Sequence, residues 1–169
     1  MPKLSSGISP NCKIFQTDHL LLNHAEHVIT REHLLNLNGI YMSLVHSTLG
    51  TEDIIAFIRQ WLNENNTRMC AFGIRTKWND ETFDKQKILE EFDAKPWDPE
   101  KRSQNFIYNS IMYYAIGSPS RDRPVLDCSN DADIERSDGL LATIYFTPSQ
   151  RAFHFFIWHN RFNNARANS

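Results

Sequence analysis

Apolar positions follow two periods in this chain, one of about 3.6 residues over four stretches and one of two residues over a pair near the end. Ile54, Ile55, Ile58, Trp61 and Leu62 lie on one face of a helix that Thr51 caps, with Glu52 and Asp53 in the first turn and Asn65-Asn66 at its close. Asp98-Pro99-Glu100 is a second helix start: an N-cap acceptor, a proline whose φ suits the first helical position, and an acid against the positive helix end. Phe106, Ile107, Ile111, Tyr114 and Ala115 continue that period, and Gly117 with Pro119 ends it. Asp80 to Phe92 and Asp18 to Leu37 also read as helical, the latter broken at Thr30, which caps a second short helix.

Strand patterns are fewer. Gly39 to His46 and Met69 to Ile74 flank the Thr51 helix and predict a β-α-β unit. Leu140 to Thr147 and Ala152 to His159, separated by Pro148-Ser149-Gln150-Arg151, predict an antiparallel hairpin. In that register Phe146 faces Phe153, Ile144 faces Phe155 and Ala142 faces Ile157, on a wholly apolar side. The other side pairs Tyr145 with His154, Thr143 with Phe156 and Leu141 with Trp158. These elements predict a single α+β domain: N-terminal helices, a β-α-β-like middle, further helices and a C-terminal antiparallel hairpin. The domain is expected over 18–160, after a flexible arm at 1–17 and before a polar tail at 161–169, with a long polar loop at about 118–138.

Composition narrows the function classes. At 169 residues, 41% apolar and 22% charged, the chain is one globular domain. A formal charge of −2 disfavours binding that rests on phosphate neutralisation, so nucleic acid is not the favoured partner. Cys12, Cys70 and Cys128 are odd in number and form no CxxC pair, which reads as free thiols with no disulfide, in a reducing compartment such as the cytoplasm. The opening MPKLSSGISPNC lacks the apolar segment of a secretory signal. No apolar run reaches the ~20 residues of a membrane span, so a soluble protein without a membrane partner is expected.

His24 and His27, in HAEH, share one face if the segment is helical, but HExxH spacing and a third ligand are absent; neither metal nor cofactor is expected. Asp127-Cys128-Ser129 resembles the nucleophile motif of the NlpC/P60 cysteine peptidases, although here the cysteine runs into Asn130-Asp131-Ala132-Asp133, where carboxylates raise a thiol pKa. His46-Ser47-Thr48, with the strand Ile144-Tyr145-Phe146-Thr147-Pro148, resembles the His-x-Thr and Tyr-bearing strand motifs of ADP-ribosyltransferases. That resemblance implies His46, Thr48 and Tyr145 as nucleotide-contacting catalytic residues, while the usual glutamate after the hairpin is missing.

The Tyr145, His154 and Trp158 side of the hairpin is either covered by a helix or open. If open, rimmed by Arg151 and Arg161, it would be a binding platform, for RNA among other ligands. Since every catalytic motif is incomplete, the favoured expectation is a binding or regulatory protein acting through protein–protein contacts, with Trp, Phe and Arg as anchors. The alternative is an ADP-ribosyltransferase-like or other nucleotide-handling enzyme centred on His46 and Tyr145, which requires both residues to line one pocket.

Overall fold

The computed structural model describes residues 7–63, 67–77, 80–108 and 125–162. Among them the strands are β1 (His19–Leu22), β2 (Tyr41–Ser47), β3 (Ala71–Thr76), β4 (Lys95–Pro96), β5 (Asn105–Ile107), β6 (Val125–Asp127), β7 (Ala132–Glu135), β8 (Leu141–Phe146) and β9 (Ala152–Trp158). The helices are α1 (Arg31–Leu35), α2 (Thr51–Asn63) and α3 (Lys85–Glu91), with 3-10 turns at Lys13–Gln16 and Ala25–His27. Seven strands form one mixed sheet in the order β1-β2-β3-β9-β8-β7-β4, and β5 pairs with β6 in a separate ribbon.

The β-α-β unit is present: β2 runs parallel to β3, joined by α2. β8 and β9 pair antiparallel, with Phe146 against Phe153, Ile144 against Phe155 and Tyr145 against His154. Alternation dictates this register, because a slip of one residue would turn every aromatic ring to the wrong side. Phe153, Phe155 and Ile157 enter the main core with Ile54, Ile58 and Trp61 of α2. Phe57 and Trp61 meet the Phe155 ring at 5.6 and 5.0 Å.

Five local expectations change. Asp18 to Leu37 is not a helix: its first residues form edge strand β1, parallel to β2, with Leu20 buried and Leu21 exposed. Only the short α1 comes after the break, where the Thr30 N–H donates to His33 Nδ1 at 3.2 Å in a reciprocal cap. Asp98 does cap a turn, since its Oδ1 accepts from the Glu100 N–H at 2.9 Å. The chain then extends into β5 instead of a helix, because Phe106 stacks on Phe156 at 4.7 Å and packing overrides helical spacing. Residues 109–117 of that expected helix lie outside the described residues.

The third helix shrinks to Lys85–Glu91, capped by Asp84, whose Oδ1 accepts from the Lys87 N–H at 3.0 Å. The polar loop expected at 118–138 contains β6 and β7; its portion at 118–124 lies outside the described residues. Part of the expected arm is folded as well: Phe15 is buried, its carbonyl accepts from the Asn38 N–H at 2.9 Å, and His33 Nε2 donates to the Ile8 carbonyl at 2.7 Å. Of the expected tail, 163–169 lie outside the described residues.

Gly39 shows how tightly this N-terminal corner closes on the sheet. A Cβ there would overlap both Met42 Sδ and the Thr17 carbonyl oxygen. Gly39→Ala is therefore expected to lower stability by about 1–3 kcal/mol through overpacking, read as a fall in the urea midpoint at unchanged m-value.

Candidate functional site

The second side of the hairpin is covered, by the β5–β6 ribbon. Phe106, Tyr108 and Cys128 pack with Phe156, Trp158 and Leu141 in a second apolar cluster. Trp158 is buried, and its Nε1 donates to Thr143 Oγ1 at 2.8 Å. His154 is completely buried and neither ring nitrogen has a hydrogen-bond partner among the described residues. Burial, with Arg75 adding to it, pushes its pKa down to about 3, so the ring is neutral near pH 7. Tyr145 is half-buried, and burial first, then Asp131, raises its pKa.

Neither expected rim arginine borders an open platform. Arg151 donates to the carbonyls of Lys77 and Asp80 at 2.9 and 3.1 Å. Arg161 donates to Glu135 Oε1 at 2.6 Å and to the Gly139 carbonyl. Phe106 stacks on Phe156 and meets Trp158 edge-to-face, and with His154 and Trp158 buried this side is not the open face that stacking of a base requires.

His46 and Tyr145 do not share a pocket. Tyr145 is level with His154, Gly73 and Ser43 across the sheet, and His46 lies three residues beyond Ser43 on β2. Three strand spacings between β2 and β8 amount to roughly 14 Å. Thr48 is exposed in a junction that Asp53 closes by accepting from the Gly50 N–H at 2.8 Å. The cysteine of the peptidase-like motif is inert: burial first, then Asp131, pushes the Cys128 thiol far up, and a thiolate nucleophile is not available there.

The residues that do converge sit beyond the carboxyl ends of the parallel strands β1, β2 and β3, where open α/β sheets commonly bind ligands. His24 comes after β1, Glu26 and His27 lie in the next 3-10 turn, His46 is next to last in β2, and Lys77 comes directly after β3. Lys77 Nζ meets Glu26 Oε1 at 3.0 Å, with His27 Nε2 at 3.5 Å and His24 Nδ1 at 3.6 Å from the same oxygen. His24 and His46 rings touch at 5.1 Å between centroids. Desolvation acts to raise the Glu26 pKa, but the Lys77 hydrogen bond and the nearby positive charges outweigh it, and the net shift is downward.

Two features of backbone geometry aim these rings. The β2–β3 register shifts between Val45 and Ser47, leaving His46 as an extra residue at φ 57°, a bulge that redirects a side chain. His24 sits at φ 59°, ψ 43°, also left-handed. Such a conformation costs a non-glycine residue about 1 kcal/mol. His24→Gly is therefore expected to raise stability by about 1 kcal/mol, measured by urea unfolding, since the His24 side chain is 68% exposed and buries little. The i, i+3 helical pairing of His24 with His27 is replaced by His24 with Glu26 and His46. Sequence spacing could not give it, because the bulge and the parallel β1–β2 pairing bring together residues twenty-two positions apart.

A concavity of about 700 Å³ lies beside the short edge strand β4. Phe92, Pro96, Trp97 and Pro99 supply its apolar wall, while Lys95, Lys101, Asp93, Asp98 and Glu135 supply charge of both signs. Trp97 is fixed there by its indole N–H, which donates to the Arg102 carbonyl at 3.3 Å.

No protein-family model matches the chain, and no solved structure matches it either. The chain is 29% identical over 140 residues to an uncharacterized protein of Caenorhabditis elegans, an alignment covering 79% of this chain and 29% of that protein. A second uncharacterized protein of the same nematode is 29% identical over 133 residues, covering 77% and 28%. The E3 ubiquitin-protein ligase hecw-1 of Caenorhabditis elegans is 31% identical over 83 residues, covering 49% of this chain and 6% of the ligase. The chain thus spans less than a third of the length of the first two relatives. Among the described residues no helix is long and apolar enough to cross a membrane, and all three cysteines are free.

Proposed function

We propose that the protein is a binding or regulatory module that acts through protein–protein contacts. The observation that carries this reading is the groove beside β4, whose aromatic and proline wall with a mixed-charge rim fits an extended segment of a partner protein. The comparisons support it from another direction, since a stretch similar to most of this chain recurs inside a longer uncharacterized protein, and a stretch similar to about half of it inside a protein named as a ubiquitin ligase. The free thiols fit a reducing compartment, the cytoplasm. The separation of His46 from Tyr145 favours this reading over a nucleotide-handling enzyme centred on both.

A photo-crosslinking residue placed at exposed Glu100, at the groove, is compared with one at exposed Gln86 on α3. In extract from the native host, position 100 is expected to capture a discrete protein that position 86 does not. Capture should fall when Lys95→Glu and Lys101→Glu reverse the rim charge. Equal labelling from both positions, or capture indifferent to the charge reversal, counts against the groove.

A further inference from the structure

Glu26 is the least expected residue at the strand ends. Its side chain is only 6% exposed, and while Oε1 faces Lys77, His24 and His27, Oε2 is buried without a hydrogen-bond partner among the described residues. A buried carboxylate oxygen with no donor is costly, and in native proteins such an orphan marks a missing ion, water or ligand. Two imidazoles stand beside the carboxylate, His24 Nδ1 at 3.6 Å from Oε1, and one ligand atom each from His24, Glu26 and His46 lie within 4.8 Å of one another.

We propose that His24, Glu26 and His46 form a binding site for a first-row transition dication of the zinc class. Two imidazole nitrogens and one carboxylate oxygen are a donor set that such ions favour and that Ca²⁺ or Mg²⁺, which prefer all-oxygen shells, does not. Ligand atoms around tetrahedral zinc stand about 3.3 Å apart, as bond lengths of roughly 2.0–2.1 Å require. Small rotamer shifts of the exposed His24 and partly exposed His46 rings close the remaining gap.

Glu26 supplies the negative charge from a buried position that limits competition by water. Lys77, hydrogen-bonded to Oε1, positions the carboxylate between the imidazoles. Three protein ligands leave a coordination position open, which His27 is near enough to approach. The left-handed conformations of both histidines are then explained together. Of the four non-glycine residues with positive φ among the described residues, two are these ligands. Strain stored at ligand positions is a pattern of preformed sites. The site lies apart from the groove beside β4, so it stands independently of the proposed partner binding.

The test uses the full chain, stripped with a chelator and titrated with zinc chloride against a chromogenic competitor. Cobalt chloride is followed by visible absorption in parallel. His24→Asn and His46→Asn are the chosen variants, because asparagine tolerates the left-handed backbone; Glu26→Gln keeps shape and removes charge. One equivalent of zinc is expected, weakened by about tenfold or more in each variant and unaffected by His19→Asn. Circular dichroism verifies that the variants are folded. Bound cobalt should show ligand-field bands without thiolate charge transfer, and uptake should survive Cys12→Ser/Cys70→Ser. Absence of uptake at millimolar free zinc overturns the proposal, as does undiminished uptake in the folded His46→Asn variant.

Discussion

Replacing Arg102 by methionine is expected to destabilise the fold by about 3–5 kcal/mol, the cost of leaving one member of a buried ion pair without its partner. Arg102 is completely buried, on the turn that precedes β5. Its Nε donates to Asp133 Oδ2 at 2.8 Å, and its terminal nitrogens donate to the carbonyls of Ser103 and Cys128 at 3.0 and 2.9 Å. The guanidinium carbon also lies 4.8 Å from the centre of the Trp158 ring. Asp133 Oδ1 accepts in turn from Thr143 Oγ1 at 2.6 Å, and Thr143 accepts from Trp158, so one network ties the ribbon's approach to β7, β8 and β9.

Methionine preserves much of the aliphatic volume but strands Asp133, which is only 6% exposed. Urea unfolding measures the loss. A double variant, Arg102→Met with Asp133→Val, removes the stranded charge and is expected to recover a large part of it. Equal losses in the single and double variants would refute the network account. The segment's role is structural, since Nε and both terminal nitrogens of Arg102 donate to groups within the core.

The second large effect is on pH dependence. His154 titrates at about 3 in the folded protein, below its ordinary value of 6.5, because burial opposes its charged form and Arg75 adds repulsion. Between those two values the unfolded chain takes up the proton first. The proton-linked cost of His154 is therefore absent above pH 6.5, and stability falls as pH drops, by up to about 1.4 kcal/mol per pH unit until about pH 3. Asp131 works in the opposite sense: burial raises its carboxyl to about 6, so the folded state gains as pH falls from about 6 toward 4.

His154→Leu isolates the first effect. The variant-minus-parent difference is expected to grow steadily from pH 6.5 to pH 4 in urea titrations. At pH 7 the variant should already be more stable, by about 1–2 kcal/mol, because two ring nitrogens with no partner among the described residues are replaced by hydrocarbon. Tyr145 and Phe156 flank the ring at 5.6 and 5.9 Å, so a leucine of similar volume fits between them. A pH-independent difference would show that the ring is not buried neutral.

Much of the central architecture is legible in the sequence because its determinants are local. The face of α2, the parallel pairing of β2 with β3 and the β8–β9 register come from alternation, helical spacing and the cap at Thr30, whereas Thr51, expected as a cap, is the first residue of α2 and its Oγ1 accepts from the Asp84 N–H at 3.0 Å. These patterns concern neighbours in the chain, and physics acts on them without knowledge of the rest. The Asp98 signals do mark a cap, but a cap fixes only a turn. The conformation beyond that turn depends on whether Phe106 finds a partner, and Phe156 lies fifty residues away.

By itself, then, the sequence determined one mixed domain with free thiols, a helix between parallel strands and an aromatic antiparallel hairpin. Long-range packing set the rest: β1 replaces a helix, Arg102 is buried, and His46 is parted from Tyr145 and meets Glu26 and His24 instead. Each of these depends on contacts between residues far apart in the chain, as Asp133 supplies the partner that buried Arg102 requires. Sheet order and a bulge, neither encoded in any short window, set which partners those are.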